Sequence, residues 1–238
     1  MLRDACFISD LHLFARRSQA GRHEAAIRDA AAASRVFVLG GDIFDFRWTT
    51  RGSVAESVDE AAGWLSELVE SSPECRFHFV LGNHDHHRLF IDRLDRLSSR
   101  LSNLEWHRHY LRLDDCVFLH GDVVDRRMDP VRLDRHRRRW LDEQPRSPAW
   151  HTAYDLAVAT RLPAILSRVL RPPWLVARRI LVYLESIGQG AAAGVRRVYF
   201  GHTHVPVDGY RYGGMSFHNG GAPIRGIEFR VLQIEGVS

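Results

Sequence analysis

Five short segments of the 238-residue chain carry side chains of the kind that hold divalent metals: Asp10 and His12 in "SDLHL", Asp42 in "GGDIFD", Asn83 and His84 in "GNHD", His120 in "LHGD", and His202 with His204 in "GHTH". Carboxylate oxygens, an amide oxygen and neutral imidazoles, with no cysteine among them, suit borderline-to-hard ions such as Mn²⁺, Fe²⁺ or Zn²⁺. One at a time these residues have plain readings: Asp42 or Asn83 as a turn or helix cap, His120 as a core histidine, "GHTHVP" as a surface turn. Together they exceed the positions of one tetrahedral ion and would fill two sites about 3.5–4 Å apart sharing a carboxylate.

The elements that must position them are legible as apolar runs: 6–9, 35–40, 77–82, 116–121, 197–202, 215–219 and 227–234 read as strands. Stretches 20–33 and 54–71 read as helices between the first three, and this β-α-β-α-β order predicts an α/β sheet layered with helices. Each candidate segment follows a strand, where open α/β sheets gather their ligands. Asp45, Asp122 and Asp125 read equally as partners of the ligands or as caps. His86 and His87 read as solvated loop residues, and His218 as a strand or site-edge residue.

The blocks D-x-H, G-D, G-N-H-D, a later histidine before glycine, and G-H-x-H occur in that order, and in this the chain resembles the calcineurin-like metallophosphoesterases over 6–125 and 196–221. The resemblance implies a layered α/β fold, a β-sandwich flanked by helices, with two divalent ions, Mn²⁺ first and Fe²⁺ or Zn²⁺ as alternatives. It assigns Asp10, His12 and His204 to one ion, Asn83, His120 and His202 to the other, and Asp42 to the bridge. His84 would face a phosphoester substrate as catalytic acid or transition-state stabiliser, with Asp85 orienting it.

The core is expected at 1–125 and 190–238, with 126–189 as a helical cap insertion. All 33 basic residues are arginine, and 126–197 holds 15 of them against 6 acids. Chain size, the "ISDLHL" start and this insertion look like the UDP-2,3-diacylglucosamine hydrolase branch. That implies a lid over the acyl chains of a lipid-linked substrate and peripheral membrane contact through the cap. Trp174, Leu175, Ile180, Leu181 and Leu184 would form its apolar face, with Arg178 and Arg179 beside it. The well-known enzymes of that branch carry arginine where this chain has His84, so "GNHD" fits the general phosphoesterase pattern.

Three cysteines at apolar runs argue against a disulfide framework and fit a reduced cytoplasmic compartment. No signal peptide or membrane span is expected. The rival readings are a nucleic-acid phosphodiesterase, against which stands the lack of interleaved aromatics among the arginines, and a metal-dependent binding scaffold, against which stands the complete ligand set.

Overall fold

The computed structural model describes residues 3–146, 150 and 171–237. In one sheet β1 (Arg3–Ile8), β2 (Ser34–Leu39), β3 (Arg76–Val80) and β4 (Leu104–His107) run parallel, and β10 (Leu232–Ile234) lies antiparallel on the free side of β1. The second sheet has the order β5 (Tyr110–Leu113), β6 (Cys116–Leu119), β7 (Arg197–Phe200), β9 (Met215–Asn219) and β8 (Val207–Tyr212), with β6, β7 and β9 parallel.

Side-chain alternation sorts the strands into layers. Cys6, Ile8, Phe37, Leu39, Phe77 and Phe79 face one way, into a core covered by α1 (Glu24–Ala32), α2 (Val54–Glu70) and α3 (Arg88–Arg100). Ala5, Phe7, Val36, Val38 and Val80 face the other way and meet Cys116, Phe118 and Tyr199 between the sheets. The outer side of the second sheet, through Val117, Leu119, Val198 and Phe200, packs on a further helical layer. Each fully buried large apolar side chain contributes about 1.5–3 kcal/mol. The three cysteines are buried and free, as small core residues.

Local signals set the helices. At α2 the Ser53 hydroxyl accepts from the Glu56 amide while the Glu56 carboxylate accepts from the Ser53 amide, a capping box before an apolar stripe. The α3 helix buries Phe90, Leu94 and Leu97 at i, i+4 and i+7. This helix, the four-residue strands β4 and β5, and β8 are absent from the sequence reading, because their polar residues interrupt the apolar runs it relied on. The predicted strand 227–234 shortens to Leu232–Ile234.

Within the expected insertion, α4 (Pro130–Arg137) starts on an Asp129 cap with Pro130 in the first turn, and α5 (Pro173–Ser186) starts with Pro173 there. Residues 147–149 and 151–170 of the expected insertion lie outside the described residues. The apolar face expected along α5 divides: Ile180 and Leu184 are buried against the second sheet with Val176, Ala177 and Tyr183, while Trp174 is exposed. That helix therefore supplies the outer layer of the core. The run Arg135–Arg139, a natural solvated face, has one exception: Arg137 is only 1% exposed and grips Asp122 through two 2.8 Å bonds, Nε to Oδ2 and Nη2 to Oδ1.

A buried charge left without its partner is strongly destabilising. Arg137→Met is accordingly expected to cost about 3–5 kcal/mol, read as a lower urea midpoint. A cost below about 1 kcal/mol would mean that the pair does not hold α4 to the sheet.

Candidate metal centre

The loops after β1, β2, β3, β6 and β7 converge, and the backbone there is unusual. Five of the residues at the centre, Asp10, His12, Asp42, His202 and His204, have φ between 47° and 66°. Left-handed backbone at a residue other than glycine costs of order 1–3 kcal/mol and persists only where the surroundings enforce it. Two glycines are obligatory for space: a Cβ on Gly82 would run into the Asp42 carboxylate, and one on Gly201 into that of Asp10. The "GGDIFDF" loop is held from behind, because Ile43, Phe44 and Phe46 are buried and the Phe44 ring lies 5.2 Å from Phe90 and 6.2 Å from Phe79. Asp42 and Asp45 are thereby left on the opposite side, toward the histidines. Asn219 on β9 donates to the Gly201 carbonyl and to Thr203 Oγ1, bracing the "GHTH" loop.

The predicted residues form one continuous constellation. His12 Nε2 lies 3.0 Å from His204 Nε2, which is 3.3 Å from Asp10 Oδ1. His120 Nε2 lies 3.2 Å from Asn83 Oδ1 and 3.3 Å from Asp42 Oδ2. Three sets of potential ligand atoms each fall within 4.8 Å: Asp10, His12 and His204; His12, Asp42 and His84; and Asp42, His120 and His202. Asp42 belongs to two of these and joins the sides. The other nitrogens are tied off, His12 Nδ1 at 3.3 Å from Asp45 Oδ2, His120 Nδ1 at 3.2 Å from the Gly40 carbonyl, and His202 Nε2 at 2.9 Å from Asp125 Oδ1. Such outer partners orient an imidazole and free its remaining nitrogen for a cation.

Asp85 requires a correction. It does not orient His84: its two oxygens accept from the Gly82 and Ile43 amides, at 2.7 and 3.0 Å, and so lock the two loops together. Burial, then the nearby Asp42 charge, pushes its carboxyl up to about 7. The partner of His84 Nδ1 is Asp45, at 2.9 Å, whose other oxygen serves His12. Burial opposes a charged His84, yet Asp45 and Asp42 outweigh it and hold the imidazole above its ordinary value. The sequence signal for Asp45 was its spacing in "GDIFD", which leaves cap and partner equally open.

The donor set accommodates divalent cations. Asp10, Asp42 and Asp45 are all essentially fully buried, and all three carboxyls stay below the usual range: burial opposes this, and neighbouring imidazoles more than offset it. The converse appears at His120, where burial disfavours charge but Asp42, then Asp10, push the imidazole up to about 10. Buried carboxylates give the pocket negative charge for a cation to answer, and hard oxygen with imidazole nitrogen is the donor chemistry of Mn²⁺, Fe²⁺ or Zn²⁺.

Arginines further along the chain grip the turn after His120 from outside. Arg137 holds Asp122, Arg171 Nη2 donates to Asp125 Oδ1 at 2.7 Å, and Arg179 donates to the Val124 carbonyl. Asp125 is thus a partner of the ligand-type His202, whereas the Asp122 carboxylate is taken up by Arg137 rather than by a ligand. The Trp140 ring lies 4.9 Å from that of His84, and the Arg47 guanidinium 4.9 Å over Trp140; sequence patterning carried no sign of either. His86 and His87 are buried rather than solvated, and His87 caps α3 by accepting from the Leu89 amide. His218 stacks on Tyr199 within the second sheet, 4.9 Å between centroids.

The sequence profile described as "Calcineurin-like phosphoesterase" matches residues 5–206. No curated protein is significantly similar to the chain. A solved structure, 12% identical, aligns over 93% of this chain and 91% of its own with a TM-score of 0.43.

Asp45→Asn removes a carboxylate that raises His84 and leaves burial, which lowers it. NMR titration of the metal-free protein should therefore show the His84 pKa falling in the variant. An unchanged value would mean that Asp45 does not support the charged imidazole.

Proposed function

Because the chain belongs to the calcineurin-like phosphoesterase family and is a metal-dependent phosphoester hydrolase, we propose that Asp10, His12 and His204 hold one divalent ion, Asn83, His120 and His202 a second, and Asp42 both. The observation that carries this reading is that Asp42 shares one ligand group with His12 and another with His120 and His202. Mn²⁺ is the proposed metal, from the mixed oxygen and nitrogen donors. When bound, such a pair supplies a water of lowered pKa and neutralises charge on the phosphoryl oxygens.

The protein's own residues then supply orientation and a proton. Asp85 keeps the Asp42 and Asn83 loops in register, and Asp45 keeps the His12 and His84 rings in orientation. His84, whose imidazole Asp45 and Asp42 favour in the protonated form, would donate to the bridging oxygen as the bond from phosphorus to the departing group breaks and water adds to phosphorus, so a phosphodiester would give a phosphomonoester and an alcohol, and a pyrophosphate two phosphomonoesters. Trp140 shields His84 on one side, and Arg47 adds a positive charge at that wall.

The substrate proposed is a phosphodiester or pyrophosphate with an apolar portion, of the UDP-diacylglucosamine type, met at the cytoplasmic face of a membrane by the cap insertion at 126–189. Among the described residues, three of the four large exposed apolar side chains, Val131, Trp150 and Trp174, lie in that segment. No helix among the described residues is long and apolar enough to cross a membrane. A general phosphoesterase acting on nucleotides is the second reading, favoured by His84 in place of arginine and by the packing of Ile180 in the core.

Chelation should abolish phosphodiesterase activity and Mn²⁺ should restore it best; activity indifferent to chelator would contradict the two-ion site. Asp42→Asn should lose more metal than any single change at His12, Asn83 or His204. His84→Ala should keep its metal while turnover falls about 10²–10⁴-fold. Loss of metal in that variant equal to that of Asp42→Asn would overturn the division of roles. For the substrate, Trp174→Ser should raise KM for a long-chain UDP-diacyl sugar and spare a short soluble diester. An equal effect on both favours the general phosphoesterase.

A further inference from the structure

Away from the metal centre, one other group of imidazoles and a carboxylate comes together among the described residues: His78, Glu105 and His107, with ligand atoms all within 4.8 Å. Strand register builds it. In the parallel pair β3 and β4, His78 stands opposite Glu105, and His107, two residues further on, shares its face. Val80 on that face packs between the two sheets, so the group sits at the margin of the sandwich, where β4 is the edge strand. The strand ends are fixed by main-chain bonds: the Phe77 amide donates to the Asn103 carbonyl at 2.7 Å and the Leu81 amide to that of His107 at 3.0 Å.

His78 Nδ1 is 3.1 Å from His107 Nε2 and 3.6 Å from Glu105 Oε2. Two ligand atoms bound tetrahedrally at about 2.0–2.2 Å stand about 3.3–3.5 Å apart, and the observed separations bracket that spacing. The 3.1 Å contact between two ring nitrogens holds one proton or one cation between them. Both imidazoles favour the neutral form that binds metal: burial, then His107, lowers His78 to about 4, and burial lowers His107 despite Glu105. Glu105 is 70% exposed, which leaves a path from solvent and room for water as a fourth ligand.

We propose that His78 Nδ1, His107 Nε2 and the Glu105 carboxylate form a separate cation site that takes one zinc-class divalent ion. The ion cross-links the edge strand β4 to β3, five residues before Asn83 on the same chain segment. Two imidazoles and one carboxylate favour zinc over magnesium or calcium.

The test is calorimetric titration of the full chain with Zn²⁺, comparing wild type with His107→Gln, at a half-buried position outside the apolar core, and Glu105→Gln, at an exposed one. Wild type should bind three ions per chain and His107→Gln two. Glu105→Gln should weaken one site by about ten-fold or more, since even outer partners of a metal cost 10–100-fold. Mn²⁺-dependent phosphoesterase activity should be retained in both variants, which separates this site from the metal centre and shows that the fold is intact. A second readout is the ring-nitrogen NMR of His78 and His107, which should shift as the extra equivalent of Zn²⁺ is added to wild type. Equal stoichiometry in wild type and His107→Gln, or unmoved His78 and His107 resonances at three equivalents, overturns the proposal.

Discussion

Three buried carboxylates, Asp10, Asp42 and Asp45, set the terms for this structure. Negative charge out of water must be answered by positive charge or by donated hydrogen bonds, or the groups would take up protons instead. The fold answers in several ways at once. Backbone amides reach the carboxylates, that of His202 onto Asp10 and that of His84 onto Asp42. Imidazoles crowd around them, and Arg17 closes on Asp45 at 3.0 Å. What remains is a pocket with a strong preference for cations.

The same constraint explains the strained backbone. The carboxylates that receive these amides sit at sharp reversals straight after their strands, and Asp10, Asp42 and His202 take positive φ there. Asp and His tolerate that region better than most residues, so the types that bind metal are also those that accept the turn. Glycine stands where even one methyl group would displace a carboxylate, at 82 and 201. Two packed sheets carry the strain, and the arginines of the following segment hold the turn after His120 from outside.

Those arginines bear on what was legible in the sequence. Every ligand-type residue proposed from its position after an apolar run is found at the convergence, because strand alternation and loop placement are local and simply patterned. The partners were less visible. Asp45 and Asp125 each reach an imidazole that sequence spacing does not pair with them, and Asp85, adjacent to His84, turns instead to two amides. Arg137 looked like one more solvated arginine among the four of Arg135–Arg139, and only the packing of α4 on the turn at Asp122 distinguishes it. Short edge strands such as β4, mixing polar with apolar residues, carried no signal, so the cluster of His78, Glu105 and His107 could not be anticipated.

The central claim, that one carboxylate joins two ions, is tested most directly by anomalous diffraction at the manganese edge from Mn²⁺-loaded crystals. The account requires two peaks about 3.5–4 Å apart, one beside Asp10, His12 and His204, the other beside Asn83, His120 and His202, with Asp42 touching both. A single peak, or two peaks with Asp42 turned away from either, would contradict it.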